Sequence, residues 1–323
     1  MNKQHDDTIM VSVYCLAYNH EKYIRDTLEG FVNQKTNFRY EVFVHDDAST
    51  DKTASIIREY QQKYPEIIKG IYQKENQYSQ GIKILDKFIL PHIKGNYIAM
   101  CEGDDCWIDE NKLQRQFDAL ERHPECDMCA HRAKRLNCLK NRITNVFPAI
   151  YEERVLGVEE VIYGEGGFLP TASLFYRKDI KLKPMEFQKI WSIDYSLQIR
   201  GALRGGIVFI PETMSLYRWN TEGSWTSRNS DLVSQKMLDK KREDMLMELN
   251  RETSGIYKKV IEKRLKKNEF NELILKQDYK AVLSRKNQVF FKELSYIDQI
   301  RIYVKAYFPL IDRLYEAIKD RKD

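Results

Sequence analysis

The stretch that decides the reading is "YIAMCEGDDCWIDENKLQRQ", residues 97–116. Tyr97 to Cys101 is a short apolar run of strand type, and it ends in Glu102, Asp104 and Asp105 with Gly103 among them. Carboxylates packed this closely repel one another unless a cation sits between them. Hard divalent cations such as Mg2+ or Mn2+ take oxygen ligands, commonly one or two carboxylates completed by substrate phosphates. Gly103 is expected to let the backbone turn sharply and to leave room for a phosphate. Helix capping by these acids would account for one carboxylate but not for three.

Working outward, "MVSVYCL" (10–16), "YEVFVHDD" (40–47), "IIKGIY" (67–72) and "NYIAMC" (96–101) read as strands. Between them lie helical patterns: one carrying Ile24, Leu28, Phe31 and Val32, a second over 49–64 with Ser49 or Thr50 as N-cap, and a third over 79–93. "DENKLQRQFDALERH" (109–123) is the helix after the acids. Strands alternating with helices imply an α/β fold with a mostly parallel sheet covered on both faces. Ligands of such sheets bind beyond the carboxyl ends of the strands. Three strand ends here carry polar clusters, Tyr18-Asn19, Asp46-Asp47 and Glu102-Asp104-Asp105, which points to one shared site. An acceptor oxygen at Asp46 or Asp47 could read the N–H of a nucleobase, whereas Ser49, Thr50 and Asp51 are ordinary helix-capping chemistry. Past residue 125, "DMCAHRAKRL" (127–136), "FLPTASLFYR" (168–177) and "GIVFIPETMSLYRW" (206–219) read as strands, and 192–204 as a helix.

The 323 residues are 42% hydrophobic and 31% charged, enough for a packed core. The net charge is +5, and its distribution is uneven: residues 230–323 carry 22 Lys and Arg against 16 Asp and Glu. The sequence divides accordingly into an α/β domain, 1–229, and a basic, helical, Gly- and Pro-poor extension, 230–323. A slightly acidic main domain argues against a nucleic-acid polymerase with a Gly-Asp-Asp site, and no nucleic-acid partner is expected. Residues 1–10 are polar and no apolar run reaches spanning length, so the expectation is a cytoplasmic chain whose six cysteines are reduced thiols. His123, Cys126, Cys129 and His131 lack the usual zinc spacing and read as core residues. In the tail, Ile297, Ile300, Val304, Tyr307, Ile311, Leu314 and Ile318 recur near helical spacing beside Arg301, Lys305 and Arg313, with Pro309 as a break. Such a helix either packs on the α/β domain or docks peripherally on the inner face of a membrane.

"VSVYCLAYNHEKYIRDTLEGFVNQ", "EVFVHDDASTDKT" and "YIAMCEGDDCWIDENKLQRQ" together resemble family 2 glycosyltransferases of GT-A fold, over residues 10 to 228. The resemblance implies an inverting transferase that moves a hexosyl or N-acetylhexosaminyl group from a UDP-sugar to a hydroxyl. The acceptor would be a glycan or lipid-linked saccharide of a surface polysaccharide (lipopolysaccharide, capsule or exopolysaccharide). By position, Ala17, Tyr18 and Asn19 would contact the nucleoside, Asp47 the uracil ring beside Asp46, and Asp104 the ribose and metal. Asp105 would be the principal ligand of Mg2+ or Mn2+, with Glu102 standing where the family's first motif acid is expected. The resemblance also directs attention to Asp194 as general base, although Ile193 replaces the other acid of the usual pair. Positioning, more than basicity, would supply its effect. Arg218 would pair with the diphosphate in bidentate fashion, and Asn220 replaces a histidine common in relatives. Thr171, Ser173, Trp191 and Trp225 would face the acceptor. A non-catalytic nucleotide-sugar binder is the alternative, and it would have no need of Asp194.

Overall fold

The computed structural model describes residues 8–191, 193–221 and 231–308. The chain divides into two compact units, Met1–Ser230 and Asp231–Asp323. In the first unit β1 (Ile9–Ala17), α1 (Ile24–Val32), β2 (Arg39–Asp46), α2 (Thr53–Lys63) and β3 (Ile68–Tyr72) alternate. β4 (Tyr97–Met100), β5 (Cys106–Trp107) and α3 (Lys112–Arg122) follow, then β6 (Met128–Asn137), β7 (Arg142–Phe147), β8 (Arg154–Leu156) and α4 (Val158–Gly164). β9 (Phe175–Arg177), α5 (Asp179–Leu182), α6 (Glu186–Ile190), α7 (Asp194–Ala202) and β10 (Ile207–Trp219) complete it.

These strands form one sheet in the order β3-β2-β1-β4-β9-β6-β10-β5, with β7 beside β6 and β8 beside β10. The long ladders, β1 on β2 and β6 on β10, are parallel, as are β2 on β3 and β1 on β4. The antiparallel strand β9 joins β4 to β6, so β1, β2, β3, β4, β6 and β10 all run in one direction. This is a mostly parallel α/β sheet of GT-A type, with a helical C-terminal extension. Its central strands are buried on both faces, which is why β1 and β2 read as nearly continuous apolar runs. Val11, Val13, Cys15, Val42 and Val44 form the middle of the core.

Helix α1 buries Ile24, Leu28 and Phe31 against the sheet. Phe31 meets Trp107 edge-on at 4.8 Å, and the Trp107 indole N–H donates to Ala172 O at 3.0 Å. Trp107 thus anchors the chain directly after the acidic cluster.

Two elements differ from expectation. The helix expected over 79–93 is reduced to a π turn, Leu85–Ile89, and a 3-10 turn, Leu90–His92. Gly81, at φ +73°, precedes it in a conformation that helices exclude, and Pro91 lacks the N–H a longer helix needs. The strand expected over 168–177 is confined to Phe175–Arg177, because Pro170 leads into a 3-10 turn, Thr171–Ser173.

In the second unit α8 (Leu232–Glu252) starts at Asp231, whose carboxylate accepts from the Val233 and Ser234 N–H groups. Ser254 and Gly255, both at positive φ, separate it from α9 (Lys258–Leu275). Phe270, Val282, Phe290, Phe291 and Ile302 form a small core of this unit. In α10 (Tyr279–Val282), α11 (Gln288–Phe291) and α12 (Tyr296–Tyr307), the buried residue of the last helix is Ile302. Ile297, Ile300 and Tyr307 of the expected stripe are exposed, and Pro309 onward lies outside the described residues. Among the described residues no helix is long and apolar enough to cross a membrane.

Candidate functional site

All the polar clusters singled out above lie at the carboxyl end of the co-directional strands. At β1 and β2 the chain is latched by local hydrogen bonds. Asn19, held at φ +57°, accepts from Thr50 N (2.8 Å) through its side chain and donates its own N–H to Ser49 Oγ (2.9 Å). His20 N donates to Thr53 Oγ1 (2.8 Å), and Glu21 N donates to Asp51 Oδ2 (3.0 Å). Asn19, Ser49, Thr50 and Asp51 are therefore structural in this arrangement, and they hold Tyr18 between the two strand ends. Tyr18 is 41% exposed, so its ring is available for stacking on a planar ligand. Ala17 is buried beneath it.

Asp46 and Asp47 are both buried. The Asp47 carboxylate accepts from Gln77 N (2.8 Å) and Tyr78 N (3.0 Å), so it orders the 75–80 loop from below. Asp46 Oδ2 accepts from Ser49 N at 3.3 Å, while its Oδ1 is buried without a hydrogen-bond partner among the described residues. A ligand N–H or O–H reaching that oxygen would satisfy it.

The acidic turn is fixed from several directions. Gly103 N donates to Leu16 O (2.9 Å) and ties it to β1. The Thr27 hydroxyl of α1 lies 2.6 Å from Asp105 O and 3.1 Å from Gly103 O. Asp105 is buried, and its Oδ1 accepts from Arg218 N at 2.8 Å. Burial pushes the Asp105 carboxyl well up, and the adjacent Asp104 charge adds to the effect, whereas the Arg218 N–H opposes it. Asp104 Oδ2 accepts from the Thr221 hydroxyl at 2.9 Å. Glu102 is exposed. Among the described residues no three acids, histidines or cysteines converge as a ready-made metal cage.

Two expected roles take another form. Space beside Gly103 is filled by this chain: a Cβ there would stand 2.7 Å from His20 Nδ1 and 3.0 Å from Ala17 Cβ. The glycine therefore serves close packing of the acid turn on β1. Arg218, expected at a diphosphate, is itself only 7% exposed. Its guanidinium donates to Asp26 Oδ2 (2.5 Å) and to Asp104 O (3.0 Å), and lies over the Tyr23 ring at 5.3 Å. It is a clamp between α1 and the acid turn.

The far wall is built on α7. Asp194, its first residue, accepts from Tyr195 N (2.7 Å) and from the Thr171 hydroxyl (2.9 Å). Poor hydration pushes its carboxyl up, and these two bonds oppose the shift. Gly166 packs closely against this carboxylate, since a Cβ there would stand 3.2 Å from Tyr195 Cβ and 3.3 Å from Asp194 Oδ1.

Ser173, expected to face the acceptor, is fully buried and donates to Pro170 O at 2.6 Å; the 3-10 turn points it inward. Trp191 is partly buried before α7, and Trp225 lies outside the described residues. Of the cysteine and histidine set, Cys126, Cys129 and His131 are buried, while His123 pairs with Glu125. All six cysteines are free thiols.

The profile of glycosyl transferase family 2 matches residues 12–218, which takes in both acid clusters, Arg218 and Asp194. The chain belongs to glycosyl transferase family 2. It is 37% identical over 221 residues to "Uncharacterized protein Rv1520" of Mycobacterium tuberculosis, covering 68% of this chain and 62% of that one. It thus spans less than two thirds of that relative's length. A shorter match, 33% over 111 residues, is to the putative teichuronic acid biosynthesis glycosyltransferase TuaG of Bacillus subtilis, covering 34% of this chain and 42% of that one. In fold, this family 2 chain is similar to S. aureus TarS 1-349 solved in complex with UDP-GlcNAc. The TM-score is 0.61 at 18% identity, over 90% of this chain and 78% of that one.

The functional residues that sequence reasoning missed are Asp26, Thr27 and Thr221. Thr27 and Thr221 bond to the acid turn from 76 and 117 positions away, and Asp26 acts on it through Arg218, 192 positions away; no local spacing signals such contacts.

Proposed function

We propose that this family 2 chain transfers a sugar from a UDP-sugar to a hydroxyl of a surface-glycan acceptor, with inversion at the anomeric carbon. The observation that carries the proposal is Asp194, a carboxylate held in fixed orientation by Thr171 and Tyr195 N, with its pKa raised by burial. A base whose pKa rises toward the working pH accepts a proton more effectively in the transition state. Asp194 would take the acceptor proton as the hydroxyl attacks, and Thr171 would keep the carboxylate aimed. The uncharged contacts of the donor fall to Tyr18 by stacking and to Asp46 Oδ1 as the unfilled acceptor.

The acid turn fits a hard divalent cation. Its donors are carboxylate oxygens, Arg218 offsets their mutual repulsion only in part, and two such ligands suffice when substrate phosphates complete the sphere. Asp104 and Glu102 would hold Mg2+ or Mn2+ from the open side, with Asp105 behind them. When bound, the cation offsets charge developing on the departing diphosphate. Arg218 and Thr221 position these acids. The kinship with TuaG supports a surface polysaccharide as acceptor, and the TarS complex makes UDP-sugars the first donors to try.

Asp194→Asn is the test. The variant should bind UDP-sugar as the parent does while turnover falls by ~100-fold or more. Unchanged transfer by the variant would remove Asp194 as the base, and a binder without turnover in either form would contradict transfer.

A further inference from the structure

The end of the sheet opposite the acid turn carries a second concavity. Asn96 precedes β4, Asp127 precedes β6, Arg177 ends the antiparallel β9, and Arg200 and Arg204 lie just before β10, so all meet where the co-directional strands begin. They line a cleft of about 490 Å3 with Lys178, Asp179 and Lys183. Five cations face two carboxylates there.

Most of these charges are already engaged. Arg204 pairs with Asp127 at 2.5 Å, and Lys183 pairs with Asp179 at 2.9 Å. Arg177 spends its guanidinium on Cys126 O (3.2 Å), Leu120 O (3.0 Å) and the Tyr97 hydroxyl (2.7 Å). Lys178 and Arg200 remain. Neither forms a salt bridge among the described residues, although both lie within electrostatic reach of the Asp179 carboxylate that Lys183 holds, and the Arg200 Nε–H is buried with no hydrogen-bond acceptor. A buried donor without an acceptor is costly, and a planar guanidinium fork is matched by two oxygens of one phosphate.

We propose that this cleft binds an anion of the phosphate class, held by Arg200 and Lys178. The site is separate from the donor site, and it stands whatever sugar the chain transfers. The shared chemistry belongs equally to a soluble phosphate compound and to a phospholipid headgroup.

The test uses the full chain. Inorganic phosphate is titrated at constant ionic strength by calorimetry, and phosphatidylglycerol and phosphatidylcholine vesicles are assayed by co-sedimentation. The wild type should bind phosphate, Arg200→Gln should weaken this by about tenfold, and Arg200→Lys should recover only part, because an ammonium cannot form the fork. Lys178→Gln should give a smaller loss. Melting without phosphate should show both Arg200 variants folded. If phosphatidylglycerol vesicles also bind, and lose binding in Arg200→Gln, the anion is a headgroup; phosphate binding alone assigns a soluble ligand. Phosphate affinity equal in the wild type and folded Arg200→Gln, or absent from the wild type, overturns the proposal.

Discussion

Replacing Arg218 by Met tests how the acid turn is held. Met keeps much of the buried volume while removing the guanidinium. The contact with Asp26, which is 62% exposed, contributes ~0–1 kcal/mol after solvent screening. The hydrogen bond to the Asp104 carbonyl contributes ~1.5–3 kcal/mol because its donor is charged. The Tyr23 ring adds ~0.5–1 kcal/mol. Allowing for the volume Met restores, the expected loss is roughly 2–4 kcal/mol. Urea unfolding reads that loss directly. Because Arg218 N still holds Asp105, the turn should loosen and not collapse, and the apparent metal constant should weaken by about tenfold, ~1.4 kcal/mol. Lys at this position should recover part of the stability and little of the geometry. A variant within ~0.5 kcal/mol of the parent, with unchanged metal dependence, would refute the clamp.

Three further outcomes follow from the same geometry. Gly103→Ala drives a Cβ to 2.7 Å from His20 Nδ1 and 3.2 Å from Ile24 Cδ1, so thermal unfolding should show a loss of ~1–3 kcal/mol; an unchanged melting temperature would contradict the packing role. Lys112, fully buried over the Trp107 ring, has its pKa lowered to about 7 by burial. The unfolded chain then binds more protons between pH 7 and the ordinary lysine pKa of ~10.4, so stability should rise with pH across that window by a few kcal/mol. Lys112→Met should flatten this rise, and parallel pH–stability curves would refute the shift. Asp105→Asn keeps an acceptor for Arg218 N and removes a repelled charge, so at neutral pH without metal it should raise the melting temperature while lowering metal-dependent turnover; a lower melting temperature would show that the repulsion was misjudged.

Much of the architecture was legible because it rests on local patterns. The apolar runs at 10–16, 40–45 and 97–101 could only be strands buried on both faces, and the polar residues that end them marked one edge of the sheet. Asp194 at the start of α7 and Tyr18 at the end of β1 stand where their flanking patterns place them. What the pattern hides is the direction in which each polar side chain is spent. Asp47 and Arg218 both read as ligand contacts, yet each is a buried side chain bonded to backbone of a distant loop. Gly103 read as room for a phosphate, and the room belongs to His20 and Ala17. The 79–93 segment failed because helical periodicity says nothing about where Gly81 and Pro91 break a helix.

The central claim is sugar transfer from a nucleotide donor, and one measurement reaches it most directly. Purified protein is incubated with a panel of nucleotide sugars, with and without Mn2+, and free nucleotide diphosphate is quantified. The account predicts release of UDP from at least one UDP-sugar, dependent on Mn2+ and lost in Asp194→Asn while UDP-sugar binding persists. Absence of both binding and release across the panel with Mn2+ present, from protein shown to be folded, would contradict it.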